Sequence, residues 1–116
     1  MKKVEAIVRP ERVTIVKQRL QQLGIGGMTI LDATGWSKQR ELHLQWRGQE
    51  IAYDLVPRLK IEVVIPDPLL DDVIKSISES AKTDEGEHGD GVIFVFTVEE
   101  AINIATSARG EKVIGG

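Results

Sequence analysis

The chain has 116 residues and no cysteine, 41% hydrophobic residues, a formal net charge of -3 and a pI near 5.4. That length fits one domain over 1–116 with a modest core, the acidic balance speaks against a general nucleic-acid binder, and the absence of cysteine excludes disulfides, thiolate metal sites and cysteine nucleophiles. No apolar run approaches the roughly 18 residues of a membrane span, and the opening MKKVEAIVRPE carries charges where a signal peptide keeps an apolar core, so a soluble, cytoplasmic protein is expected.

Residues 3–8 (KVEAIV) are short and β-rich and read as a strand, ended by Arg9-Pro10. Val13, Val16, Leu20 and Leu23 then recur at spacings of three and four, with Arg12, Lys17, Arg19, Gln21 and Gln22 opposite them. That predicts an amphipathic helix, stopped by Gly24. Gly26-Gly27 turns the chain, and residues 28–33 (MTILDA) read as a second strand closed by Gly35.

The stretch from 35 to 60, GWSKQRELHLQWRGQEIAYDLVPRLK, is polar and rich in both charge signs. Loops beyond roughly 12–15 residues are uncommon in compact domains and usually functional. Residues 59–65 alternate cleanly, with Leu59, Ile61, Val63 and Ile65 on one side and Lys60, Glu62 and Val64 on the other. Pro66-Asp67-Pro68 breaks that strand, and Asp67 is placed to cap a second helix with Leu69, Leu70, Val73, Ile74 and Ile77 on one face. Residues 83–91 (TDEGEHGDG) form a polar, glycine-rich loop. Residues 92–97 (VIFVFT) read as a fourth strand, apolar on both faces and therefore either central or covered by a partner. A short helix or turn is expected at 98–105, and a short edge strand at 112–114.

Strand, helix, strand, loop, strand, helix, strand is the βαββαβ order of a ferredoxin-like α+β domain, an antiparallel sheet with two helices on one face. Its two halves are pseudo-repeats.

Little in the sequence points to catalysis. There is no Ser/His/Asp set, no P-loop and no dinucleotide fingerprint. The pairs Asp71-Asp72 and Glu99-Glu100 are adjacent and do not face each other on a helix. No catalytic residue and no enzyme activity are expected. His88 lies among Glu85, Glu87 and Asp90, which could make an oxygen-rich metal site with one imidazole; such runs are more often solvated, and no metal site is expected. Leu42, Leu44, Trp46 and Arg47 are candidate partner anchors in the long loop, with inward packing of the apolar ones as the alternative.

The opening KKVEAIVRPE, the GIGGMTI turn and strand, the loop ending RGQE…YDLVPRLKIEVVIPD and the GDGVIFVF segment together resemble the PII signal-transduction proteins, over roughly residues 1–98. The resemblance implies a homotrimer of ferredoxin-like subunits. It implies adenine nucleotides, and often 2-oxoglutarate, in clefts between subunits. It also implies a long T-loop, here 36–54, pushed into a membrane transporter or a metabolic enzyme of nitrogen metabolism. No obligatory cofactor is implied; ADP, AMP or ATP would be an effector. Carried over by position, Thr29, Glu62 and Val64 fall near the adenine. Ser37, Lys38 and Gln39 fall at the loop base near the phosphates, and Gly89, Asp90 and Gly91 in a loop that approaches the phosphates through its backbone. Gln39 and Arg58 fall at the 2-oxoglutarate site, where Arg58 replaces a more usual lysine.

The departures are specific. Val92, Asn103 and Ala105 stand where the family usually has cations, which makes ADP or AMP easier to hold than ATP. The loop before Gly89 is two residues longer than usual and acidic. Gln49 and Ile51 stand at the family's modification positions, and Tyr53 is the only tyrosine. The alternatives are a trimeric interaction module of the same fold that has lost ATP binding and, from the His88 cluster alone, a trimeric metal-handling protein.

Overall fold

The first strand, β1 (Lys2–Val8), runs through the middle of the sheet, and its alternate residues Val4, Ala6 and Val8 are buried. The structure, a computed structural model, describes residues 1–36, 42–46, 49–53, 55–84, 86 and 88–114, with the backbone alone for 42–46, 49–53 and 88. After β1 come a 3-10 turn (Pro10–Arg12), α1 (Val13–Gln22), β2 (Thr29–Trp36), β3 (Leu42–Trp46), β4 (Gln49–Tyr53), β5 (Leu55–Ile65), α2 (Leu70–Ala81) and β6 (Gly91–Thr97). β2, β5, β1 and β6 form one sheet in that order, with every neighbouring pair antiparallel. The ferredoxin-like reading holds.

Register divides the sheet into two faces. Val4, Ala6 and Val8 pair with Val63, Ile61 and Leu59 of β5 and with Val95, Ile93 and Gly91 of β6. This side meets Val16 and Leu20 of α1 and Val73, Ile77 and Ala81 of α2 in the buried core. The helices are tied to each other by Arg19 Nη2, which donates to Glu79 Oε2 at 2.8 Å. The other side, carrying Lys3, Glu5, Lys60, Glu62, Leu31, Phe94 and Phe96, faces away from both helices.

Local signals placed most boundaries. Gly24 takes φ 86 and its N–H donates to the Gln21 carbonyl, so it ends α1 as expected of glycine. Others moved. β2 continues through Gly35 to Trp36, and β5 begins at Leu55 rather than 59, so the long connection narrows to 37–54. Pro57 lies within β5 but beyond its last rung with β1, Leu59 with Val8, where one side is an edge and proline is tolerated. The connection carries its own hairpin, β3 against β4, in the register Leu42 with Tyr53, Leu44 with Ile51 and Trp46 with Gln49.

Two expectations, the Asp67 cap and the strand at 112–114, are corrected, and two open ones are narrowed. Asp67 makes no side-chain cap; its Oδ1 lies 3.0 Å from Met1 N, and that ion pair holds the carboxyl below its ordinary range. β6 is an edge strand, so its two apolar faces are not explained by a central place in the sheet. Of the short helix or turn expected at 98–105, the structure forms the turn: Asn103 Oδ1 accepts the N–H groups of Ala105 and Thr106 in a side-chain-closed turn. Residues 112–114 are not a strand, because a 3-10 turn (Glu111–Val113) takes their place.

Candidate functional site

Arg9, Arg58 and the Gly89-Asp90-Gly91 triplet converge at one end of the sheet, beside the base of the long loop. Each member of the triplet has a packing reason for its identity. Gly91 opens β6 opposite Val8 with φ 129, and a Cβ there would collide with the Ile7 carbonyl oxygen. At Gly89 a Cβ would lie 2.6 Å from Arg9 Nη2. Asp90 faces inward: Oδ2 accepts the Thr83 N–H at 3.0 Å, and Oδ1 accepts the Thr83 hydroxyl at 2.8 Å and Arg9 Nε at 3.3 Å. Arg58 donates from Nη2 to the Gly89 carbonyl at 3.3 Å and from Nη1 to the Pro57 carbonyl at 2.8 Å.

Two openings meet at this loop. A shallow one of about 180 Å³ is lined by Ile7, Gly35, Trp36, Val56, Arg58, Gly91 and Val92. That is below the roughly 300 Å³ at which small-molecule sites begin. A groove of about 530 Å³ runs along the helix side of β6, with Val8, Ile77 and Ile93 as an apolar floor and Lys82 and Asp90 among its polar lining. The sequence reading missed this groove, since its walls come from three elements whose separate patterns say only that they are buried.

The residues expected near the adenine form a second group. Thr29 pairs with Glu62 across β2 and β5, and Val64 lies two residues on, so all three share the open sheet face. Glu62 is four residues from Arg58 along β5, about 13 Å. One copy of the chain therefore does not bring the two groups together.

Lys3 Nζ sits 3.0 Å from Glu5 Oε1 and 3.1 Å from Glu62 Oε2, and Lys60 Nζ is 3.5 Å from Glu62 Oε1. The Lys3 hydrogen bond holds the Glu62 carboxyl below its ordinary value of 4.5, and the bonds to Glu5 and Glu62 raise Lys3 above 10.5. The depressed carboxyl contributes stability that is present above pH 4.5 and lost as pH falls through its folded-state value. The raised Lys3 contributes below pH 10.5 and is lost as pH rises past its folded-state value. Glu62→Gln should therefore lower the urea midpoint at about pH 6 and shrink the further drop seen between about pH 5 and about pH 3. An unchanged acid slope would remove Glu62 from the acid response.

The positions that lack the expected cations have other occupations. Val92 lines the shallow opening, Asn103 closes its turn on the Ala105 N–H, and the nearby Arg109 pairs with Glu100 at 3.5 Å. Ser37, Lys38, Gln39, Arg47, Glu85, Glu87 and the His88 side chain lie outside the described residues. Leu42, Leu44 and Trp46 fall on β3. Among the described residues no group of three or more His, Asp or Glu side chains is arranged to hold a metal.

A family model described as nitrogen regulatory protein P-II matches residues 1–108. The chain belongs to the P-II family. Over 114 residues it is 43% identical to a nitrogen regulatory protein P-II of Haemophilus influenzae, 42% to one of Rhodospirillum rubrum and 43% to one of Bradyrhizobium diazoefficiens. Each alignment covers 98% of this chain and 100% of the relative. The P-II match reaches ten residues beyond the resemblance read from the sequence and includes the Asn103 turn. As a P-II protein the chain is a signalling regulator, and P-II proteins are regulators rather than enzymes. Among its described residues no helix is long and apolar enough to cross a membrane.

Proposed function

We propose that this P-II protein is a cytoplasmic homotrimer that binds an adenine nucleotide where copies meet and acts on a membrane transporter or metabolic enzyme through residues 37–54. The observation that carries the reading is the shared placement of Thr29, Glu62 and Val64 on the open sheet face, beside exposed Leu31, Phe94 and Phe96. A face of that composition is suited to burial against another copy. Such burial would bring one copy's adenine-side residues toward another's residues 89–91. Arg58, beside Gly89, supports a place for the dicarboxylate 2-oxoglutarate with Gln39. An effector held there biases the loop between arrangements, and the target must then bias effector binding reciprocally.

The second reading, a trimer without ATP sensing, is favoured by the apolar Val92 and by Asn103 and Arg109 being engaged elsewhere. Calorimetric titration with ATP, ADP and AMP, with and without magnesium and 2-oxoglutarate, separates the two. Micromolar binding, with ADP or AMP at least as tight as ATP, is the expected result. No heat at millimolar nucleotide would replace the sensor with the ligand-independent module.

A further inference from the structure

We propose that Arg9, Thr83 and Asp90 form a clasp that sets the backbone of residues 89–91 in the posture that receives phosphate, an inference that rests on the nucleotide reading above. The three side chains come from separate parts of the chain: the end of β1, the segment after α2 and the turn before β6. Both Asp90 carboxylate oxygens are engaged, Oδ2 by the Thr83 N–H and Oδ1 by the Thr83 hydroxyl and Arg9 Nε. Asp90 keeps only 14% side-chain exposure. Its charge is thus turned into the protein and matched there by Arg9.

That placement resolves an apparent contradiction in the triplet. A carboxylate between two glycines would repel a phosphate if it pointed outward. Held by Thr83 and Arg9, its charge is matched within the protein, and the Arg9 guanidinium lies against Gly89. Gly91, with no Cβ, lines both openings at this end of the sheet. Gly89 against Arg9, Asp90 held by Thr83 and Arg9, and Gly91 against the β1 backbone together fix this stretch of backbone in one position. Thr83 and Arg9 are positioning residues; neither needs to touch the ligand.

The test uses the full chain with Thr83→Val, which keeps the side chain's shape but removes the hydroxyl, and Thr83→Ser, which restores it. ADP is titrated by calorimetry and adenosine by NMR shift perturbation. Thr83→Val should weaken ADP about tenfold, the order expected for one hydrogen bond to a charged group. It should leave adenosine affinity unchanged, and Thr83→Ser should bind ADP within about twofold of the unaltered chain. Wild-type ADP affinity in Thr83→Val would overturn the clasp. So would equal losses for ADP and adenosine, which would mark a general loosening of the fold. If the unaltered chain binds neither ligand, the nucleotide reading itself falls and the clasp falls with it.

Discussion

Gly91→Ala should destabilise the protein by about 3 kcal/mol or more and disturb the pairing of β6. Two costs coincide at this position. The backbone has φ 129, a region that side-chain-bearing residues rarely occupy. The added Cβ would also fall on the Ile7 carbonyl oxygen and lie 3.1 Å from the Ile7 carbonyl carbon and 3.3 Å from Val8 Cα. These are backbone atoms of a strand paired on both sides, so they cannot swing aside as a side-chain tip would. Either β6 gives up its first rungs or β1 shifts within the core. Gly27→Ala is the control: a Cβ there meets nothing within 4 Å, and its effect should stay within about 0.5 kcal/mol. Urea midpoints of the two variants read the contrast. Similar midpoints would mean that Gly91 is not fixed against β1 in solution.

Gly91 also shows where the sequence was legible and where it was not. Periodicity marked the core-facing residues of β5 and α2, because alternation and the three-four spacing are local consequences of burying one face. It missed Ser76 and Ser80, both buried on α2; the Ser80 hydroxyl bonds back to the Ser76 carbonyl and so needs no outside partner. Residues 89–91 could be matched to a known pattern, but the reason for each residue type lay far away in sequence: Arg9 meets Asp90 across 81 positions. Asp67 had the right chemistry for a cap, yet a nearby amine took its carboxylate instead. The apolar fourth strand was ambiguous because burial by other strands and burial by another copy leave the same pattern. Only its place at the sheet edge separates them.

Phe94→Lys should convert the proposed assembly of three 12.8 kDa chains into single chains while leaving each chain folded. Phe94 lies on the open face of β6 at 47% exposure, and Phe96 beside it is equally exposed. In register Phe94 stands directly opposite Glu5 of β1. A lysine there meets a carboxylate across the strands, a pairing that suits the isolated sheet. It is also a charge typical of edge strands that resist association. Against another copy it would have to be desolvated among Leu31, Val92 and Phe96, at a cost of several kcal/mol per copy. The change therefore acts on association rather than folding. Ile15→Lys, at a similarly exposed apolar position on α1, should leave the mass unchanged. Light scattering reads the mass and circular dichroism the fold. If nucleotide binding requires two copies, Phe94→Lys should abolish it together with the assembly. A folded Phe94→Lys chain of unchanged mass would place the contact elsewhere, and an unaltered chain of 12.8 kDa in solution would remove the intersubunit site.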